Sequence, residues 1–72
     1  MNSGKVLSIR EKEVLELISQ GFTNKEIGSS LCISTDTVKS HRNNMLKKMS
    51  AKNAAHLINM SYRLGLLCAS NY

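Results

Sequence analysis

Ser34 to Met49 reads STDTVKSHRNNMLKKM and describes one helix with two unlike faces. Ser34 is suited to the N-cap, because its hydroxyl can accept a bond from an unpaired first-turn amide, and Asp36 suits the positive end of the helix dipole. Ile33 before the cap and Val38 inside the helix stand at the spacing of a hydrophobic staple, which fixes the angle of the incoming chain. Val38, Met45, Leu46 and Met49 fall on one stripe of a 3.6-residue helix and are expected to face a core. The opposite surface carries Thr35, Asp36, Lys39, Ser40, Arg42, Asn43 and Lys47, all hydrogen-bonding, with three basic residues against one acidic. Such a face is either solvated or offered to a partner, and the residues before it bear on the choice.

Ser8 with Glu11 and Thr23 with Glu26 form two SxxE-type capping boxes, each marking a helix start. The first predicts a helix from Ile9, with Val14, Leu15, Leu17 and Ile18 on its apolar stripe and Gly21 able to take the left-handed conformation after Gln20. The second predicts a helix of about two turns, with Phe22 and Ile27 as its staple, ending before Cys32, Ile33 and the cap at Ser34. Gly28 inside it lowers helix propensity by about 0.8 to 1 kcal/mol relative to Ala, so a close backbone approach is expected there, from the third helix crossing the second. Two short helices with a three-residue connection and a basic second member form a helix-turn-helix, although an ordinary helical hairpin shows similar caps. After the polar segment Ser50 to Asn53, helical periodicity resumes from Ala54 to Leu64 with Ala55, Leu57, Ile58, Ser61 and Leu64, and Gly65 marks its end. This fourth segment has little charge besides Arg63, and Met60 and Tyr62 stand off the Leu57–Ile58 stripe, either as ordinary surface residues or as part of a contact with a second subunit.

Seventy-two residues make one domain, one that buries only about 60% of its unfolded surface and offers little room for a deep catalytic cleft. The net charge is +5 and unevenly spread. Positions 35–52 hold Lys39, Arg42, Lys47, Lys48 and Lys52 against Asp36 alone, whereas Lys5, Arg10 and Lys12 are balanced by Glu11, Glu13 and Glu16 in positions 1–22. A basic face on a small domain is the footprint of a polyanion binder, whether nucleic acid or an anionic membrane surface. The two cysteines, Cys32 and Cys68, form no CxxC pair, the histidines show no zinc-site spacing, and neither a metal nor a cofactor is expected. Cys32 is expected to be a small buried residue, and nothing suggests secretion or a bridge to Cys68. No signal-peptide core and no apolar run of the ~18 residues that span a bilayer occur, so no membrane partner is expected and a cytoplasmic location is. Residues 1–7 suit a flexible lead-in or linker end, 8–67 the domain, with Leu66 and Leu67 folding back on the core, and 68–72 a polar tail. Serine, histidine and acidic residues occur in no recognisable catalytic spacing, so an enzyme is not expected.

The run LSIREKEVLELISQGFTNKEIGSSLCISTDTVKSHRNNMLKKM resembles the LuxR-type helix-turn-helix domain, also found at the C-terminus of NarL-like response regulators. The resemblance is carried by REKEVLELISQG, NKEIGSSL, IS followed by TVKSH, MLKKM and the closing LGLL, and it covers roughly Leu7 to Leu67. It implies an all-α, four-helix DNA-binding domain of a bacterial transcription regulator, with the helix at 35–49 in the major groove of double-stranded DNA. By position, Lys39, Ser40 and Asn43 match residues that face base edges. Thr23, Asn24, Lys25, Thr35, Thr37, His41, Arg42 and Lys47 match residues near the sugar-phosphate backbone. The chemistry suits this in part: Lys39 can donate to guanine, Asn43 can pair with adenine, and the amides leading into the helix at Lys25 form an anion-binding terminus. His41 is expected to be mainly structural. The fourth helix commonly serves dimerisation in such domains, which makes Ala54, Leu57, Ile58, Met60 and Ser61 candidates for a homodimer formed on DNA, and contact with RNA polymerase is a further partnership of this kind of regulator. The chain departs from the family at Gly28, mostly Ala, at Ser50, often Gly, and at Ala54, often Arg. Other readings are a promoter module like sigma factor region four, against which the fourth helix argues, and a protein-interaction module that keeps the fold.

Overall fold

Each helix of the chain starts at a side-chain cap. In the computed structural model, which describes residues 7–65, the helices are α1 (Ile9–Ser19), α2 (Asn24–Leu31), α3 (Thr35–Met49) and α4 (Ala54–Arg63), with no strand among the described residues. Both capping boxes form: Ser8 Oγ accepts from the Glu11 amide at 3.1 Å while Glu11 Oε1 accepts from the Ser8 amide at 2.9 Å, and Thr23 and Glu26 do the same at 3.1 and 2.8 Å. Ser34 caps α3 through the Thr37 amide at 3.1 Å, and Asn53 caps α4 through the His56 amide at 2.9 Å. These bonds satisfy amides that have no carbonyl a turn behind them.

The helix ends share a left-handed residue followed by a reversal. Gly21 (φ 92°) lets its own amide reach Ile18 O and the Phe22 amide reach Leu17 O, which is a Schellman ending. Cys32 (φ 60°) does this for α2, the Ile33 amide returning to Gly28 O at 2.9 Å, and Ser50 (φ 53°) for α3, the Ala51 amide returning to Leu46 O at 2.9 Å. Cys32 is therefore exposed rather than buried as its small apolar character suggests, because the residue that reverses the chain projects its side chain out of the turn. The close approach at Gly28 is also different in kind from the expected helix crossing. A Cβ there would stand 2.7 Å from Ile33 O and 3.6 Å from the Ser34 carbonyl carbon, so the neighbour is the tight turn itself.

Leu7, Val14, Leu15, Ile27, Val38, Met45, Met49 and Leu57 form the core, flanked by partly buried Leu17, Ile18, Leu31, Ile33, Leu46, Ala51, Ile58 and Met60. α3 supplies three of the eight core residues and packs on α1, α2 and α4, so it is the axis of the fold. Each such side chain, fully buried, contributes about 1.5 to 3 kcal/mol of transfer free energy. Phe22, expected to staple the start of α2, stays 37% exposed while Ile27 is fully buried.

The stripe expected in α4 turns inward in part, while two of its members, Ala55 and Leu64, are exposed. Leu57 and Ser61, one turn apart, are the residues that turn inward, and Ser61 Oγ donates to Leu57 O at 2.7 Å. Neither can serve a second subunit, because each is already covered by its own chain. Met60 is half-buried against the core, where it lines a groove of about 280 Å³ with Lys48, Met49 and Leu64, while Ala54 and Ile58 are half-buried on the flank. Ala55, Asn59 and Tyr62 are the outward face, and Leu64 lies past the helix end, 63% exposed. The expectations for residues 1–6, Leu66, Leu67 and Cys68 lie outside the described residues.

Candidate nucleic-acid interface

At 100° per residue, the side of α3 opposite Val38, Met45 and Met49 is occupied by Asp36, Ser40, Asn43 and Lys47, with Lys39 and Asn44 beside them. All six are exposed. Among the described residues Lys39, Ser40, Asn43 and Lys47 have no hydrogen-bond or ion-pair partner, so their donors and acceptors face solvent. Asn44 went unmarked in the sequence, although its place four residues after Ser40 puts it on the same surface.

Two polar links hold the flanks of this helix. On one side Arg42 Nη1 donates to Asn24 Oδ1 at 2.8 Å, joining α3 to the first residue of α2. On the other, Lys48 Nζ meets Glu11 Oε1 at 2.8 Å, joining α3 to the first turn of α1. Burial by itself raises the Glu11 carboxyl, but the Lys48 hydrogen bond, the Ser8 amide and the charges of Lys48 and His41 outweigh it and hold the group below its ordinary 4.5. His41, half-buried, shares this flank with Lys48 and lies near enough to Glu11 to favour its ionised form.

The remaining expected contact residues surround the outward face. Thr35 is exposed at the start of α3 on the Arg42 flank, and Thr37 is exposed on the other, its hydroxyl 2.9 Å from that of Ser34. Thr23 and Lys25 are exposed at the start of α2, where the amides of Asn24 and Lys25 have no acceptor among the described residues. Between the helices an open groove of about 320 Å³ is lined by Asn24, Lys39, Arg42, Asn43 and Leu46. The structure thus brings the α2 terminus and the α3 face together on one surface, with His41 turned toward α1. Among the described residues no cluster of three or more His, Cys, Asp or Glu could hold a metal ion, and no helix is long and apolar enough to cross a membrane.

Caps, a three-residue turn and a polar second helix docked by its apolar stripe define a helix-turn-helix domain. Residues 5–61 match the family described as bacterial regulatory proteins, luxR family. The chain belongs to that family and is its helix-turn-helix DNA-binding domain. It is 42% identical over 65 residues to the uncharacterized response regulatory protein YgeK of Escherichia coli K12, covering 90% of this chain and 44% of that protein. It is 45% identical over 58 residues to the response regulator protein TmoT of Ectopseudomonas mendocina, covering 81% of this chain and 26% of the relative. Against the oxygen regulatory protein NreC of Staphylococcus aureus JH9 the identity is 38% over 63 residues, 88% of this chain and 29% of the relative. The chain thus spans less than half the length of these relatives.

Proposed function

We propose that this domain binds duplex DNA sequence-specifically as the output part of a response regulator, with α3 lying in the major groove. The observation that carries this reading is the outward side of α3: it presents Lys39, Ser40, Asn43 and Lys47 unpaired among the described residues, while its apolar side chains and both polar links lie elsewhere. Lys39, Ser40 and Asn43 read base edges, Lys39 by donating to guanine and Asn43 by a two-bond pairing with adenine. Thr23, Asn24, Lys25, Thr35, Thr37, Arg42 and Lys47 set the register on the sugar-phosphate backbone, helped by the free amides at the start of α2. His41 contributes mainly by supporting α3 from the α1 side. The names of the relatives, which are response regulators and an oxygen regulatory protein, support a place in signal-dependent transcription. In that setting two copies pair through α4 on DNA, and contact with RNA polymerase follows as a regulator's route to the promoter.

The test separates base from phosphate contacts. Operators are selected from a random duplex library, and binding is then measured on single-base variants of the winner. Lys47→Ala should weaken all sequences alike and make the salt dependence shallower by about 0.9 in log K per log salt. Asn43→Ala should relax preference at one position, costing about 1 to 3 kcal/mol there. Uniform loss in both variants removes the base-reading role of Asn43. A flat salt titration of the unmodified protein removes DNA binding itself and leaves the protein-interaction reading.

A further inference from the structure

Arg42 and Asn24 are eighteen positions apart and belong to different helices, yet Arg42 Nη1 donates to Asn24 Oδ1 at 2.8 Å in a half-buried setting. A guanidinium carries five N–H donors in a rigid fork, so a bond to one carboxamide oxygen fixes the fork and leaves most of its donors available. Arg42 has no other partner among the described residues. It borders the open groove of about 320 Å³ together with Lys39, Asn43 and Leu46. An arginine left loose on a helix surface loses rotamer freedom when it grips an anion, whereas one already tethered loses less.

We propose that Asn24 is a positioning residue: its carboxamide holds the Arg42 guanidinium so that Arg42 engages one DNA phosphate at this groove, in place of two phosphates met separately by the two residues. The inference rests on the DNA-binding reading above and sharpens two of its backbone contacts into one. It makes Asn24 act through Arg42, so the contribution of each residue depends on the presence of the other.

A double-mutant cycle decides this, using the 72-residue protein and a mixed-sequence duplex of about 30 base pairs over a range of low salt concentrations. Arg42→Ala should weaken binding about tenfold and make the salt slope shallower by about 0.9, the value of one phosphate. Asn24→Ala should give most of that loss in both quantities, and the double variant should bind no more weakly than Arg42→Ala alone. Losses that multiply in the double variant overturn the proposal, because they describe independent contacts. So does wild-type affinity and slope in Asn24→Ala. Should Asn24→Ala lower the melting temperature but leave the salt slope unchanged, the bond is only a helix-packing contact and the proposal is wrong. Steep salt dependence in the unmodified protein keeps the DNA-binding reading alive whatever the cycle returns, whereas a flat titration of that protein removes both.

Discussion

One carboxylate oxygen, Oε1 of Glu11, accepts both the Ser8 amide at 2.9 Å and the Lys48 ammonium at 2.8 Å. The atom that closes the start of α1 is therefore also the atom that fastens the last turn of α3 to it. Capping and tertiary docking are joined at a side chain only 5% exposed.

Stability should depend on this pair and on pH in a defined direction. Glu11→Gln keeps an acceptor for the cap but removes the charge, leaving a partly buried Lys48 with a weaker partner. A loss of about 1.5 to 3 kcal/mol is expected at neutral pH, short of the cost of a fully buried pair because the Lys48 side chain is 30% exposed. The folded carboxyl lies below its ordinary 4.5, so the stabilisation is fully present above that value and is lost as pH falls through the lower, folded one. Urea unfolding of both proteins at about pH 7 and about pH 3 measures it, and the gap between them should shrink on acidification. A gap that is constant with pH contradicts the role given to the charge.

Among the described residues, Cys32 and Ser50 are the non-glycine residues in left-handed conformation, and Ser50 offers a gain in stability. Ser50 sits at φ 53°, ψ 40°, where an L side chain costs about 1 to 2 kcal/mol and glycine nearly nothing. Part of that relief is offset by the greater freedom of glycine in the unfolded chain, so Ser50→Gly should stabilise by about 0.5 to 1 kcal/mol. For a domain of this size that raises the melting temperature by a few degrees. Gly21→Ala is the matching control. Beyond Gly21 and its two chain neighbours nothing lies within 4 Å of the added Cβ, so its expected destabilisation isolates the backbone cost at φ 92°. A lower melting temperature in Ser50→Gly goes against this account.

What could be read from the sequence was what is encoded locally. Ser8, Thr23 and Ser34 announce their helices because a cap and the amide it serves are three residues apart, and the Val38–Met45–Met49 stripe needs only helical periodicity. Contacts between distant residues leave no such mark. Glu11 looks like a cap and nothing more until Lys48, 37 positions away, is placed against it, and Asn24 and Arg42 look like two separate polar residues. Cys32 misleads because thiol burial is common, whereas the tightness of the turn beside Gly28 decides its conformation. α4 misleads for another reason: Leu57, Ile58, Met60 and Ser61 leave several rotations about the axis chemically acceptable, and docking on the rest of the fold selects one.

That rotation changes how pairing on DNA is tested. Of the sequence candidates, Leu57 and Ser61 are core and Met60 is half-buried, so a charge at any of them perturbs folding before it perturbs association. The face available to a second copy is Ala55, Asn59 and Tyr62, with Ile58 at its edge. A ten-residue helix buries little compared with the ~1,200 to 2,000 Å² of a standard stable interface, so the expected state is a monomer in solution that pairs when two half-sites hold the copies together. Two-fold pairing puts the α3 helices about 34 to 36 Å apart and requires an inverted repeat with centres about 10 base pairs apart. Ala55→Glu is the informative change: it sets like charges across the two-fold axis, yet as the second residue of α4 an acid there suits the helix dipole and spares the fold. Single half-site affinity and melting temperature should stay near wild type while cooperative filling of the second half-site disappears. Analytical ultracentrifugation with one-site and two-site duplexes reads both quantities, and undiminished two-site cooperativity in Ala55→Glu rules out pairing through this face.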